Sequence, residues 1–202
     1  MDLKTVTDRI CDMKIIDNSL PIVFEEYVKD NLLGNNFPWF YQKDLTGGYR
    51  TEMQSRPAFG HYFVVDGQNN SDHVHLLNPI IEAVEARTNR KFSKILNART
   101  FLQLPLSSKL IGKESIDTFH VDLEEEHFVI LYYVLDSDGQ TILSDRQYTS
   151  GNNVMMDINE DYKIIKKVRP KQGRILFFNG NIYHTALQPK KNVRCVLNIN
   201  VL

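Results

Sequence analysis

From about Lys91 onward the sequence is written in short runs of Val, Ile, Phe and Tyr separated by turn residues, and that rhythm constrains the fold more than any other feature. The runs are Lys94–Leu104, His127–Leu135, Gln140–Leu143, Gly173–Phe178 and Val193–Val201. β-Branched and aromatic side chains suit a pleated, half-buried surface, so each run predicts a strand. Asp136, Ser137, Asp138 and Gly139 separate two of them, and Asp-Gly is a strong hairpin signal. Gly173 and the cluster Asn179, Gly180, Asn181 mark further turns. Many short strands with few helices between them predict an antiparallel sandwich or jelly roll.

The N-terminal half reads differently. Ser19 is placed to cap a helix with Pro21 in its first turn and Gly34 just past its end. Leu20, Phe24, Tyr27 and Val28 recur at helical spacing and predict its core face. A second helix is expected over Asn78 to Arg87, with Asn78 as cap, Pro79 at the first helical position, and Ile80, Ile81 and Val84 buried. The two helices are expected to pack on the outside of one sheet. A chain of 202 residues fits one domain, with N-terminal support over about 1–90 and a jelly-roll core over about 91–202. No internal repeat or low-complexity segment divides it.

Composition excludes several classes. A formal net charge of -1 supplies no basic field for nucleic acid or an anionic membrane. No apolar run approaches the roughly 20 residues that span a bilayer. Met1 to Thr5 lack the apolar run of a secretory signal, which favours the cytoplasm. Cys11 and Cys195 make no disulfide framework and read as reduced thiols, Cys195 as a small core residue in a strand.

The chemistry concentrates in His120, Val121 and Asp122. On an extended chain residues i and i+2 point to the same side, so one imidazole and one carboxylate converge from a single short segment. A His-x-Asp tripeptide is weakly informative alone. His184 near the end of a later strand and turn adds a second imidazole, and Arg194 follows ten positions on, at the start of the last strand. Two His and one carboxylate on one face of a metal form the facial triad of non-haem iron(II) oxygenases, with the opposite face open. Arg is a fixed, bidentate-capable cation suited to a carboxylate partner.

These residues resemble the Fe(II)/2-oxoglutarate-dependent dioxygenase superfamily, in particular its prolyl-hydroxylase-like branch with small phage-encoded members. The run from His127 to Asp136, then Asp138 to Thr141, is similar to the branch's strand and hairpin after the first ligand pair. Pro170 to Phe178 is similar to its strand leading to the distal His, and Asn36 to Tyr41 to phage-type members. The resemblance implies a mainly β (α+β) fold, a cupin-like double-stranded β-helix. It implies Fe(II) on His120, Asp122 and His184, with 2-oxoglutarate and O2 as co-substrates and ascorbate as a reductant. Arg194, assisted by Tyr133, is expected to hold the distal carboxylate of 2-oxoglutarate. The expected activity is hydroxylation with release of succinate and CO2, since halogenases of the superfamily lack the carboxylate that Asp122 supplies. A protein side chain such as prolyl, a free amino acid or a small metabolite each remains open as substrate. A non-catalytic jelly-roll binding or structural protein is the alternative.

Other polar residues carry weaker expectations. Alternation puts Asn97, Arg99, Phe101 and Gln103 on one strand face, where Arg99 or Gln103 can touch co-substrate or substrate. Asn198 and Asn200 share strand parity with Arg194 and point toward the same opening. His61, His73, His75 and His127 read as structural. The basic run Lys163, Lys166, Lys167, Arg169, Lys171 and Arg174 reads as a solvated sheet edge that discourages aggregation.

Overall fold

The structure is a computed structural model and describes residues 13–45, 56–107, 116–156 and 161–202. Its strands are β1 (Lys14–Ile16), β2 (Phe40–Gln42), β3 (Ala58–Val65), β4 (Gln68–Asn69), β5 (Ile95–Gln103), β6 (Phe128–Tyr133), β7 (Thr141–Gln147), β8 (Ile164–Val168), β9 (Ile175–Asn179), β10 (Ile182–Ala186) and β11 (Arg194–Val201). The helices are α1 (Ile22–Leu33) and α2 (Asn78–Thr88), the latter preceded by a 3-10 turn over Asp72–Leu76.

Among the described residues, eight strands form a large antiparallel sheet in the order β1-β9-β6-β11-β5-β3-β2, with β4 beside β3. Three more form a small sheet, β10-β7-β8. The two pack face to face. Strand β6 shows why its sequence is a continuous apolar run rather than an alternating one. Ile130 and Tyr132 join Val28, Leu32, Ile80 and Val84 of the two helices in one core. Val129, Leu131 and Tyr133 join Leu143, Val168 and Ile182 of the small sheet region in another. A strand covered on both faces has no solvated side to carry polar residues. Each of the four helix side chains is fully buried, which contributes about 1.5–3 kcal/mol apiece. The expected helices on one sheet face and jelly-roll sandwich on the other are therefore present.

Several local expectations are corrected. Helix α1 is capped by Pro21, not Ser19, and no side chain caps it. Pro21 fixes the entry at φ -60°, and its carbonyl accepts from the Phe24 and Glu25 amides. The buried stripe is Glu25, Val28 and Leu32, while Tyr27 is exposed. Leu77, not Asn78, precedes α2. Of the basic run, Lys166 and Lys167 fall on β8, an edge strand of the small sheet, while Arg174 makes a two-pronged ion pair with Asp17. Cys195 is a buried free thiol, and Cys11 lies outside the described residues. No described helix is long and apolar enough to cross a membrane.

The Asp-Gly signal misleads in an informative way. β6 and β7 do not pair: β6 lies between β9 and β11, and β7 between β10 and β8. The segment 136–140 crosses from one sheet to the other. Asp138 accepts from the backbone amides of Lys190, Lys191 and Asn192 at 3.0–3.3 Å, and so ties this crossover to the loop leading into β11. A two-residue hairpin occurs instead at Asp66 and Gly67, both at positive φ (49° and 76°), joining β3 to β4.

Burial raises the Asp138 carboxyl, but the amides of Asn192, Lys190 and Lys191 outweigh it and hold the group below its ordinary value. A depressed carboxylate stabilises the fold above the unfolded value of about 3.9, and that contribution fades as pH falls through the folded value. Asp138→Ala is thus expected to cost about 1.5–3 kcal/mol at pH 7. Denaturant titrations should show the gap from wild type narrowing below about pH 4. A gap unchanged at low pH would assign the loss to packing rather than to the carboxylate.

Candidate metal and carboxylate site

His120 and His184 face each other as a cross-strand pair. Residue 120 bridges β10, and each backbone amide donates to the other's carbonyl at 2.9 Å. The ring centroids are 4.8 Å apart. His120 Nδ1 donates to the Thr118 carbonyl at 3.1 Å and His184 Nδ1 to that of Ile182 at 3.0 Å. Each ring is thereby held in the tautomer with a bare Nε2, the usual way a protein orients a ligating His. Burial, and then the neighbouring His184 ring, push the His120 imidazole down to about 4, so it is neutral at pH 7.

Asp122 meets them from the loop two residues on. Its side chain is wholly buried. Oδ2 lies 3.6 Å from His184 Nε2, and Oδ1 lies 3.9 Å from His120 Nε2. One ligand atom from each of the three residues falls within 4.8 Å of the others. The carboxylate is held from the large sheet. Arg99 on β5 ion-pairs with Oδ1, Asn198 on β11 donates to both oxygens at 3.1 and 3.3 Å, and Asn200 donates to Oδ2 at 3.0 Å. Burial raises this carboxyl, yet it is held well below the usual range, chiefly by the Arg99 guanidinium.

Arg194 starts the same strand and is buried. Its Nε donates to the Gly139 carbonyl at 2.9 Å, Nη1 to Gln103 Oε1 at 2.6 Å and Nη2 to Thr141 Oγ1 at 3.1 Å. All three acceptors are neutral, and no carboxylate among the described residues pairs with it within 4.0 Å. Tyr133 is fully buried and donates to Thr141 Oγ1 at 2.8 Å. Burial pushes its phenol up to about 12. Thr141 Oγ1 thus accepts twice, which uses both lone pairs and leaves its own proton to donate.

A cavity of about 340 Å³ joins the two ends, with His120, Asp122 and His184 at one and Gln103, Thr141 and Arg194 at the other. The register fixes the separation. Asn198 sits opposite Arg99, and Arg194 opposite Gln103, four residues along. In the small sheet His184 sits opposite Leu143, and Ala186 opposite Thr141, one pleat along, or about 6–7 Å.

The structure brings together His120, Asp122, His184 and Arg194, and sets Tyr133 behind Thr141. Arg99 and Gln103 line the cavity, but Asn97 does not, its Oδ1 instead accepting from the Asp66 amide. His61, His73, His75 and His127 stand outside the three-residue group. Thr141 was missed: it belongs to a recognised strand run, and only the inter-sheet register shows what it faces.

No protein-family model matches the chain, and no curated protein does. Solved structures match along its whole length. The non-haem α-ketoglutarate-dependent epimerase SnoN of nogalamycin biosynthesis aligns with a TM-score of 0.63 at 13% identity, covering 99% of this chain and 82% of that one. A 2OG-Fe(II) oxygenase family oxidoreductase from Burkholderia pseudomallei gives 0.63 at 12% identity, covering 100% and 91%. A prolyl hydroxylase from Trichoplax adhaerens, solved with a hypoxia-inducible-factor peptide, gives 0.60 at 15% identity, covering 98% and 88%. The chain has the fold of the 2-oxoglutarate/iron(II) oxygenases. Within that oxygenase fold, His120, Asp122 and His184 could hold an iron ion. The donor set fits: two bare imidazole nitrogens, one of them buried with no hydrogen-bond partner, beside an ionised carboxylate.

Thr141→Val should leave the Tyr133 hydroxyl and one Arg194 donor facing a methyl group. A loss of about 1–3 kcal/mol is expected in denaturant titration, partly recovered in the Thr141→Val, Tyr133→Phe double variant. Strict additivity of the two changes would show that they do not share this bond.

Proposed function

We propose that the protein is an iron(II)- and 2-oxoglutarate-dependent hydroxylase acting on a protein side chain, such as a prolyl residue, or on a free amino acid or small metabolite. The observation that carries this reading is one cavity with a two-His, one-Asp group at one end and, at the other, a buried arginine with no anionic partner among the described residues. His120 Nε2, Asp122 and His184 Nε2 are the metal ligands. Bound iron(II) supplies the chemistry that couples oxidative decarboxylation of 2-oxoglutarate to oxidation of the substrate.

The chain's own residues do the positioning. Gln103, Thr141 and Gly139 aim the Arg194 guanidinium by hydrogen bonds to neutral acceptors, which orient its charge without cancelling it. That charge receives the distal carboxylate of the co-substrate, and Thr141 adds its free proton. Tyr133 acts through Thr141. The SnoN epimerase has been crystallised with Fe3+, α-ketoglutarate and nogalamycin RO, which supports the same ligand pair here.

Arg194→Ala should weaken 2-oxoglutarate binding about 10- to 150-fold, the worth of a hydrogen bond to a charged group, and leave metal affinity nearly unchanged. Calorimetric titration of 2-oxoglutarate into Mn(II)-loaded protein reads this directly. Succinate formation with Fe(II), ascorbate and oxygen should exceed that of a His184→Ala control. Equal succinate in both samples, or unweakened binding in Arg194→Ala, counts against the proposal.

A further inference from the structure

Asp122 receives a donor at every acceptor position it offers. A carboxylate has about four lone-pair directions, two per oxygen. Oδ1 accepts from Arg99 and, at 3.3 Å, from Asn198; Oδ2 accepts from Asn198 at 3.1 Å and Asn200 at 3.0 Å. A cation shared with both imidazoles must take one of these directions.

The three donors differ in how readily they yield. Asn200 is 1% exposed and also donates to Asn198 Oδ1 at 3.3 Å, which fixes the way the Asn198 amide faces. Asn198 is 7% exposed. Arg99 keeps 24% of its side chain exposed, reaches Asp122 on a long flexible stem, and its Nε has no partner. Its guanidinium carbon lies 5.4 Å from the centroid of the Phe101 ring, on the cavity wall. An aromatic face gives a guanidinium a second resting place.

We propose that Arg99 is a competing cation at the metal centre. Its guanidinium and a divalent metal contend for the Asp122 carboxylate, and metal entry moves Arg99 from Asp122 toward the Phe101 face. This rests on the metal centre described under Proposed function. Asn198 and Asn200 act in the opposite sense: they carry no charge and keep the carboxylate aimed whichever cation it holds. Arg99 therefore lowers the metal affinity of the site while it stabilises the buried carboxylate.

Titration of Mn(II), followed by the electron paramagnetic resonance signal of the free ion, reads affinity without turnover. Arg99→Met is expected to bind Mn(II) about 10-fold more tightly than wild type, since one charged hydrogen bond no longer competes. Its metal-free Tm should fall, and its metal-induced rise in Tm should exceed that of wild type. Asn200→Ala, which removes an orienting donor, should bind more weakly. If Arg99→Met does not stay folded without metal, Arg99→Lys carries the test: its ammonium lacks the planar fork, so it too should bind more tightly than wild type. Wild type that binds no Mn(II) overturns the metal centre and this inference together. Wild type that binds, with Arg99 variants binding equally or more weakly, overturns this inference alone and makes Arg99 an orienting residue.

Discussion

A carboxylate with none of its side chain exposed must be compensated wherever it sits, because an isolated buried charge costs far more than a domain's net stability. Asp122 is such a group, and its compensation recruits much of the fold. The loop that carries it must lie against β11, where Asn198 and Asn200 meet it. It must also lie beside β10, where His184 faces His120. β5 must pair with β11 in the register that sets Arg99 opposite Asn198. A slip of one residue in that register would turn Arg99 to the helix side and leave the carboxylate short of its cation.

The opposite end of the cavity solves a different problem. Arg194 is a buried cation whose partners are neutral, and burial lowers its pKa from the ordinary arginine value. Its acceptors come from three places: Gln103 on β5, Thr141 on β7, and Gly139 in the crossover between sheets. Gly139 has no room for a side chain, since an added Cβ would sit 2.9 Å from the Arg194 Cδ and from the Leu187 carbonyl oxygen. The crossover that resembles a hairpin in sequence is thus a joint between the sheets and a wall for the arginine.

Strands dense in apolar residues were legible because both of their faces are covered, as in β6 and β9. Strands at edges were not. β8 carries Lys166 and Lys167 in place of an apolar run because an edge strand is half in solvent; β3, paired on both sides, escaped notice for another reason, since Gly60 and His61 interrupt it. His120, Asp122, His184 and Arg194 stood out in the sequence because two of them share one short segment and Arg194 opens the last strand, although β10, which carries His184 at its centre, was not among the expected strands. The partners of Asp122 and Arg194 did not stand out. Parity put Arg99, Gln103, Asn198 and Asn200 on the right faces, but which residue touches which is decided by pairing between strands far apart in sequence. Thr141 stayed hidden for the same reason, because its role depends on the offset between two sheets.

β11 carries Arg194, Val196, Asn198 and Asn200 on one face, with all eight of its residues buried. Such a strand is a ruler graduated in whole pleats of about 6–7 Å. Its irregularity in the pairing with β5 falls between Asn200 and Val201, beyond the last of the four marks. The strand itself therefore offers no fine adjustment of the distance between the two ends. A ligand one carbon longer or shorter can be accommodated only by changing the reach of a side chain or by moving the receptor to a neighbouring strand. The spacing of the two ends is thus set as an integer, while the walls between them can vary with the size of their side chains.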